Sequence, residues 1–241
     1  MPDTAPTHVR EAAVLPAAGW RTFVADWSSD QRAFKSASWG KAMMWIFLLS
    51  DTFVFGCFLL SYMTVRMSTT EPWPNPSEVF ALEIGGAHLP LILIAIITFV
   101  LISSSGTMAM AVNYGYRRDR AKTAALMFAT AAFGATFVGM QAFEWSKLIH
   151  EGVRPWGNPW GAAQFGSSFF MITGFHGTHV TIGVIFLLVI ARKVLRGDFD
   201  QGRRGFFTSR KGRYEVVEIA GLYWHFVDLV WVFIFALFYL W

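Results

Sequence analysis

Five runs of the chain are apolar over roughly the 20 residues that a helix needs to cross a bilayer: Ala42 to Met63, Leu89 to Val112, Ala124 to Leu148, Phe169 to Ala191 and Ile219 to Trp241. The pattern predicts an all-α polytopic membrane protein of five transmembrane helices. The first forty residues are polar, mixed in charge and interrupted by Pro2, Pro6 and Pro16. They lack the short apolar core of a secretory signal and read as an extramembrane arm. The expected organisation is an N-terminal arm over 1–40 and a five-helix domain over 41–241.

Composition agrees, with 54% apolar, 17% aromatic and 15% charged residues, against about 25% charged in an ordinary soluble domain. The net charge of +4 raises nucleic acid as a partner, but the distribution of the charges removes it. Of the 20 basic residues, all but Arg66, Lys147 and Arg154 fall in the arm and in the second and fourth connections. The other two connections carry Glu71, Glu78, Glu83 and Glu151. By the positive-inside rule the N-terminus is cytoplasmic, and an odd number of helices then places the C-terminus outside. Trp73, Trp156, Trp160 and Trp241 fall on that outer side, where tryptophans anchor at headgroup level. The prolines of EPWPNP and RPWGNPW predict short, stiff, non-helical loops there. The single cysteine, Cys57, lies inside the first helix and excludes a disulfide framework or thiolate cage.

Polar residues inside the apolar runs are the candidates for chemistry, because an ionisable group at a helix centre costs at least about 2.5 to 3.5 kcal/mol and needs a partner. Asp51 sits about 13 Å from the inner boundary at the helical rise, His179 about 18 Å, and His176 one turn beyond it. His225 and Asp228 are three apart in YWHFVDLVW, and Gln141 and Glu144 close the third run in GMQAFEW. Imidazoles at i and i+3 share a helix face, so His176, His179 and His225 could ligate copper or haem. They could equally be neutral hydrogen-bonding posts between helices, or parts of a proton path. Small residues favour close packing: Thr173, Gly177 and Thr181 on one helix, Ala131, Ala135 and Gly139 on another.

The stretches SSFFMITGFHGTHVTIGVIFLL (Ser167 to Leu188) and GLYWHFVDLVWVFIF (Gly221 to Phe235) resemble the two signature helices of subunit III of haem-copper terminal oxidases, the cytochrome c oxidase subunit III family. WIFLLSDTFVFG, ITFVLISSSGTMAMA and GMQAFEW follow that family in the right order, so the resemblance spans Gly40 to Trp241. It is to the five-helix bacterial form, which lacks the two N-terminal helices of the seven-helix form. The resemblance implies a non-redox accessory subunit of a bacterial inner-membrane, proton-pumping oxidase. Haem and copper would reside in subunits I and II, with none in this chain, and the chain would pack on subunit I, bind phospholipid and support proton uptake and sustained turnover. It also implies that Asp51 is the family's buried, carbodiimide-reactive carboxylate. Lys193 and Arg196 would then bind lipid phosphate, and His176, His179, His225, Asp228, Gln141 and Glu144 would be interhelical polar residues, not metal ligands. Asp51 stands where cytochrome c oxidase members usually carry glutamate, as in quinol oxidase relatives, whereas YWHFVD with Tyr223 is closer to the cytochrome c branch. The expected donor is cytochrome c, with a quinol as the alternative; the other class left open by the intramembrane Asp and His is a stand-alone membrane transporter.

Overall fold

The computed structural model describes residues 39–84, 87–89, 91–199 and 215–241. Most of the arm, and the part of the basic fourth connection from residue 200 to 214, lie outside the described residues. The elements are α1 (Trp39–Ser68), α2 (Pro76–Val79), β1 (Leu82–Ile84), β2 (Ala87–Leu89), α3 (Ile92–Tyr116), α4 (Arg120–His150), α5 (Gln164–Arg196) and α6 (Glu215–Phe235), which runs on into a π-helical turn, Ala236–Leu240. Five of the helices are long and apolar enough to cross a membrane, and the chain is a multi-pass membrane protein. Each extends beyond its apolar run at one or both ends, since backbone hydrogen bonding continues where water takes over from lipid.

RPWGNPW is the non-helical loop expected, and EPWPNP is non-helical up to Pro76. Pro76 opens a one-turn helix, where its missing N–H costs nothing, and the Asn75 side chain caps it by accepting from Ser77 N at 3.2 Å. An antiparallel strand pair follows, with Leu82 opposite Leu89. Leu89, expected in the second transmembrane helix, is therefore in a strand, and α3 starts after Leu91 at φ 58°. At the opposite end Asp119 caps α4 by accepting from Lys122 N, and Gly197, at φ 75°, terminates α5 in the left-handed conformation suited to glycine. The two ends of the bundle are called here the hairpin end and the basic end.

α4 packs along both α3 and α5, α6 lies against α3 and α5, and α1 sits at the edge on α6 and α5. α1 buries only one stripe, Leu48, Asp51, Phe55 and Tyr62, at spacings that keep to one helix face. The centre is held by Trp224 of α6. Its indole N–H donates to Ser104 Oγ of α3 at 2.9 Å, and its ring lies where a Cβ on Gly134 or Gly183 would stand, at 2.4 and 3.0 Å. These two glycines permit the close approach of the Trp224 ring. The predicted small-residue stripes are only partly packed: Thr173 and Ala131 are buried, but Ala135, Gly139 and Thr181 are exposed. Four-residue spacing defines a face without saying which neighbour fills it, and the hole required by Trp224 falls elsewhere.

Candidate functional site

Polar side chains inside the bundle form separate contacts, each joining different helices. On α1, Asp51 is 6% exposed and its Oδ2 lies 3.4 Å from His179 Nε2 on α5. His179 Nδ1 is 2.8 Å from the Phe175 carbonyl one turn back. A carbonyl only accepts, so Nδ1 carries a proton. Nε2 faces the Asp51 carboxylate without a hydrogen bond, since Asp51 Oδ2 has no hydrogen-bond partner among the described residues. The separation is longer than an ordinary hydrogen bond, so the pair is loosely coupled. Phe55 and Phe175 flank the His179 ring. Tyr223 of α6 donates to the His179 carbonyl at 2.9 Å, tying a third helix to the pair.

Between α3 and α6, Ser105 Oγ is 2.5 Å from His225 Nδ1, while Asp228 Oδ1 is buried with no hydrogen-bond partner among the described residues. His225 is thus tied to a residue of another helix. Near the hairpin end, Glu144 of α4 is 2% exposed and Gln141 5%. Glu144 Oε2 accepts from Gln141 Nε2 at 2.8 Å and from Tyr239 Oη at 3.1 Å. Tyr239 was not singled out from the sequence; the π-helical turn at the end of α6 brings it there, and no periodicity announces such a turn.

His176 is the exception. It is 1% exposed, stacked on Trp231 with ring centroids 5.4 Å apart and edge-on to Phe137 at 5.8 Å, and neither ring nitrogen has a hydrogen-bond partner among the described residues. The two histidines of GFHGTH therefore occupy different settings: His179 faces the carboxylate of α1, and His176 fills an aromatic box. Among the described residues no three His, Cys, Asp or Glu side chains converge as a metal site requires.

Lys193 and Arg196 are exposed on the last turn of α5 at the basic end, where cations also face the free carbonyls of the helix terminus. An open groove of about 610 Å³ runs between α1 and α5, lined by Phe58, Val65, Phe170, Met171 and Ile172 together with serine and tyrosine side chains. Its α5 residues lie about 32 to 39 Å from Lys193 by helical rise, so the groove and the basic pair are near opposite ends of α5.

Residues 31–241 match the sequence model of the family described as cytochrome c oxidase subunit III. The chain is 32% identical over 215 residues to a protein of Staphylococcus saprophyticus named probable quinol oxidase subunit 3, a match covering 88% of this chain and 92% of that one. It is 31% identical over 201 residues to a protein of the same name from Staphylococcus aureus, covering 83% of this chain and 88% of the other.

Proposed function

Because the chain belongs to the cytochrome c oxidase subunit III family of haem-copper oxidases, we propose that it is the non-redox third subunit of a bacterial terminal oxidase that takes its electrons from a quinol. One observation carries the donor: relatives matched along nine-tenths of their length are named as quinol oxidase subunits. Asp51, where cytochrome c members usually carry glutamate, points the same way. The cytochrome c donor expected from Tyr223 is the second reading; in the structure the Tyr223 hydroxyl ties α6 to α5, a packing role compatible with either donor.

In this reading the chain packs on subunit I, with subunit II and its smaller partners further off, in the inner membrane with the basic end cytoplasmic. The excess of Lys and Arg at that end supports the orientation. Haem and copper belong to the partner subunits, and this chain's contribution is to hold lipid and to sustain proton uptake. The groove between α1 and α5 suits a phospholipid acyl chain, and Lys193 with Arg196 suits a phosphate in the cytoplasmic leaflet. Asp51 belongs to α1, the least buried helix, and faces His179 at 3.4 Å. That setting accounts for carbodiimide reactivity without requiring Asp51 to carry pumped protons.

The test is affinity purification of the tagged full chain from its native membrane. The expected preparation contains a larger haem-bearing subunit and consumes oxygen with a quinol but not with reduced cytochrome c. The reverse preference overturns the donor, and recovery of the chain alone overturns the subunit assignment.

A further inference from the structure

The Glu144 cluster has a feature that interhelical packing does not use. Glu144 Oε2 accepts two hydrogen bonds, from Gln141 and Tyr239, which occupy the lone pairs it presents in the carboxyl plane. Oε1 is the other oxygen, completely buried, and it has no partner among the described residues. Glu144 also lines a small cavity whose room for a water centre is about 10 Å³, shared with Val79, Phe80, Leu93, Lys147 and Leu148. That is close to the volume one water needs, provided it finds at least two polar partners. Glu144 and Lys147 are the polar side chains on the wall.

Exposure rises along one face of α4 from this point. Glu144 is 2% exposed, the Lys147 side chain 22% and the Glu151 side chain 32%, with Lys147 Nζ 3.4 Å from Glu151 Oε1. Positions 144, 147 and 151 are spaced as one helix face requires. The Lys147 ammonium also donates to the Ala81 carbonyl, which anchors it over the cavity. The remaining walls are apolar, and the other titratable group against Glu144 is the Tyr239 hydroxyl, already committed to Oε2.

We propose that Glu144 is a proton-binding site served by a single bound water between Glu144 Oε1 and Lys147 Nζ, in exchange with the aqueous phase at the hairpin end. When Glu144 is ionised the water donates to Oε1 and accepts from the Lys147 ammonium. When Glu144 is protonated the proton sits on Oε1 and is donated to the water, since Oε2 is taken. Loss of the proton breaks the Oε1–H bond and passes the proton to the water, which releases one of its own toward Glu151 and the loop. The site is separate from the Asp51 and His179 pair in helix and partner, and does not depend on which donor the oxidase uses.

The site predicts one ordered water within hydrogen-bonding distance of both Glu144 Oε1 and Lys147 Nζ in a high-resolution structure of the intact complex. It also predicts a protonated-carboxyl band in the infrared spectrum of that complex that titrates with pH, shifts down in D2O while the protein stays folded, and is lost in Glu144→Gln. Lys147→Met should retain the band and slow its deuterium shift. A cavity closed by side chains, a full set of titrating carboxyl bands remaining in Glu144→Gln, or a Glu144 band that does not shift in D2O each overturns the proposal. The structural measurement and the D2O shift use the wild-type protein, so the test stands even where a variant fails to assemble.

Discussion

Replacing His176 with leucine tests whether the aromatic box needs an imidazole. The side chain is 1% exposed, and both ring nitrogens lack partners among the described residues. A buried polar atom left unsatisfied costs about 1 to 3 kcal/mol, whereas an apolar replacement of similar shape removes that penalty. Leucine forfeits the stacking on Trp231 and the edge contact with Phe137, about 0.5 to 1.5 kcal/mol for such ring pairs. The balance predicts a chain between about 0.5 kcal/mol less and about 2.5 kcal/mol more stable. Glutamine keeps polar atoms in the same box without the ring, so His176→Gln should lose about 1 to 2 kcal/mol. The assay is the thermal unfolding midpoint of the assembled complex in one detergent, read as the rank order of the three proteins. The order expected is leucine near or above wild type and glutamine below, with haem and copper content the same in all three. A leucine variant that ranks below the glutamine variant, or one that loses a stoichiometric metal, refutes the reasoning and means the imidazole has a partner outside this chain.

Three further outcomes follow from the packing and the polar contacts. Gly134→Ala drives a methyl to 2.4 Å from the Trp224 ring and should cost about 1 to 3 kcal/mol; Trp224→Phe should relieve part of that cost, and strictly additive losses in a double-mutant cycle refute the contact. Asp51→Asn preserves size and leaves His179 held by its own bond to Phe175, so assembly and initial oxygen consumption should be near normal; abolished proton pumping with intact haem spectra would make Asp51 an obligatory relay and end the accessory-subunit reading. Lys193→Ala combined with Arg196→Ala should lower the anionic phospholipid retained by the purified complex, measured by mass spectrometry of extracted lipid, and unchanged retention removes the phosphate site.

The apolar runs alone determine that five helices cross the membrane, because no other backbone arrangement in one continuous apolar segment satisfies its own hydrogen bonds in lipid. Burial against protein was legible in part: Asp51, His176, Gln141 and Glu144 are buried, whereas His179, His225 and Asp228 are half-buried. Helix ends were less so. Leu89 is in a strand although it opens the apolar run, because such a run does not mark where its helix starts, and the one-turn helix at Pro76 depends on a cap read from a single asparagine. Partners were decided only by the tertiary structure. His176 and His179 are three residues apart in sequence, yet the crossing of α1 gives one a carboxylate and the position of Trp231 gives the other an aromatic box. Tyr239 reaches Glu144 because α6 widens into a π-helical turn, and Trp224 selects Gly134 and Gly183 over the glycines of the predicted stripes. Helical periodicity assigns each side chain a direction about its own axis; which group waits in that direction depends on how neighbouring helices are rotated and shifted, and that follows from packing of the whole bundle.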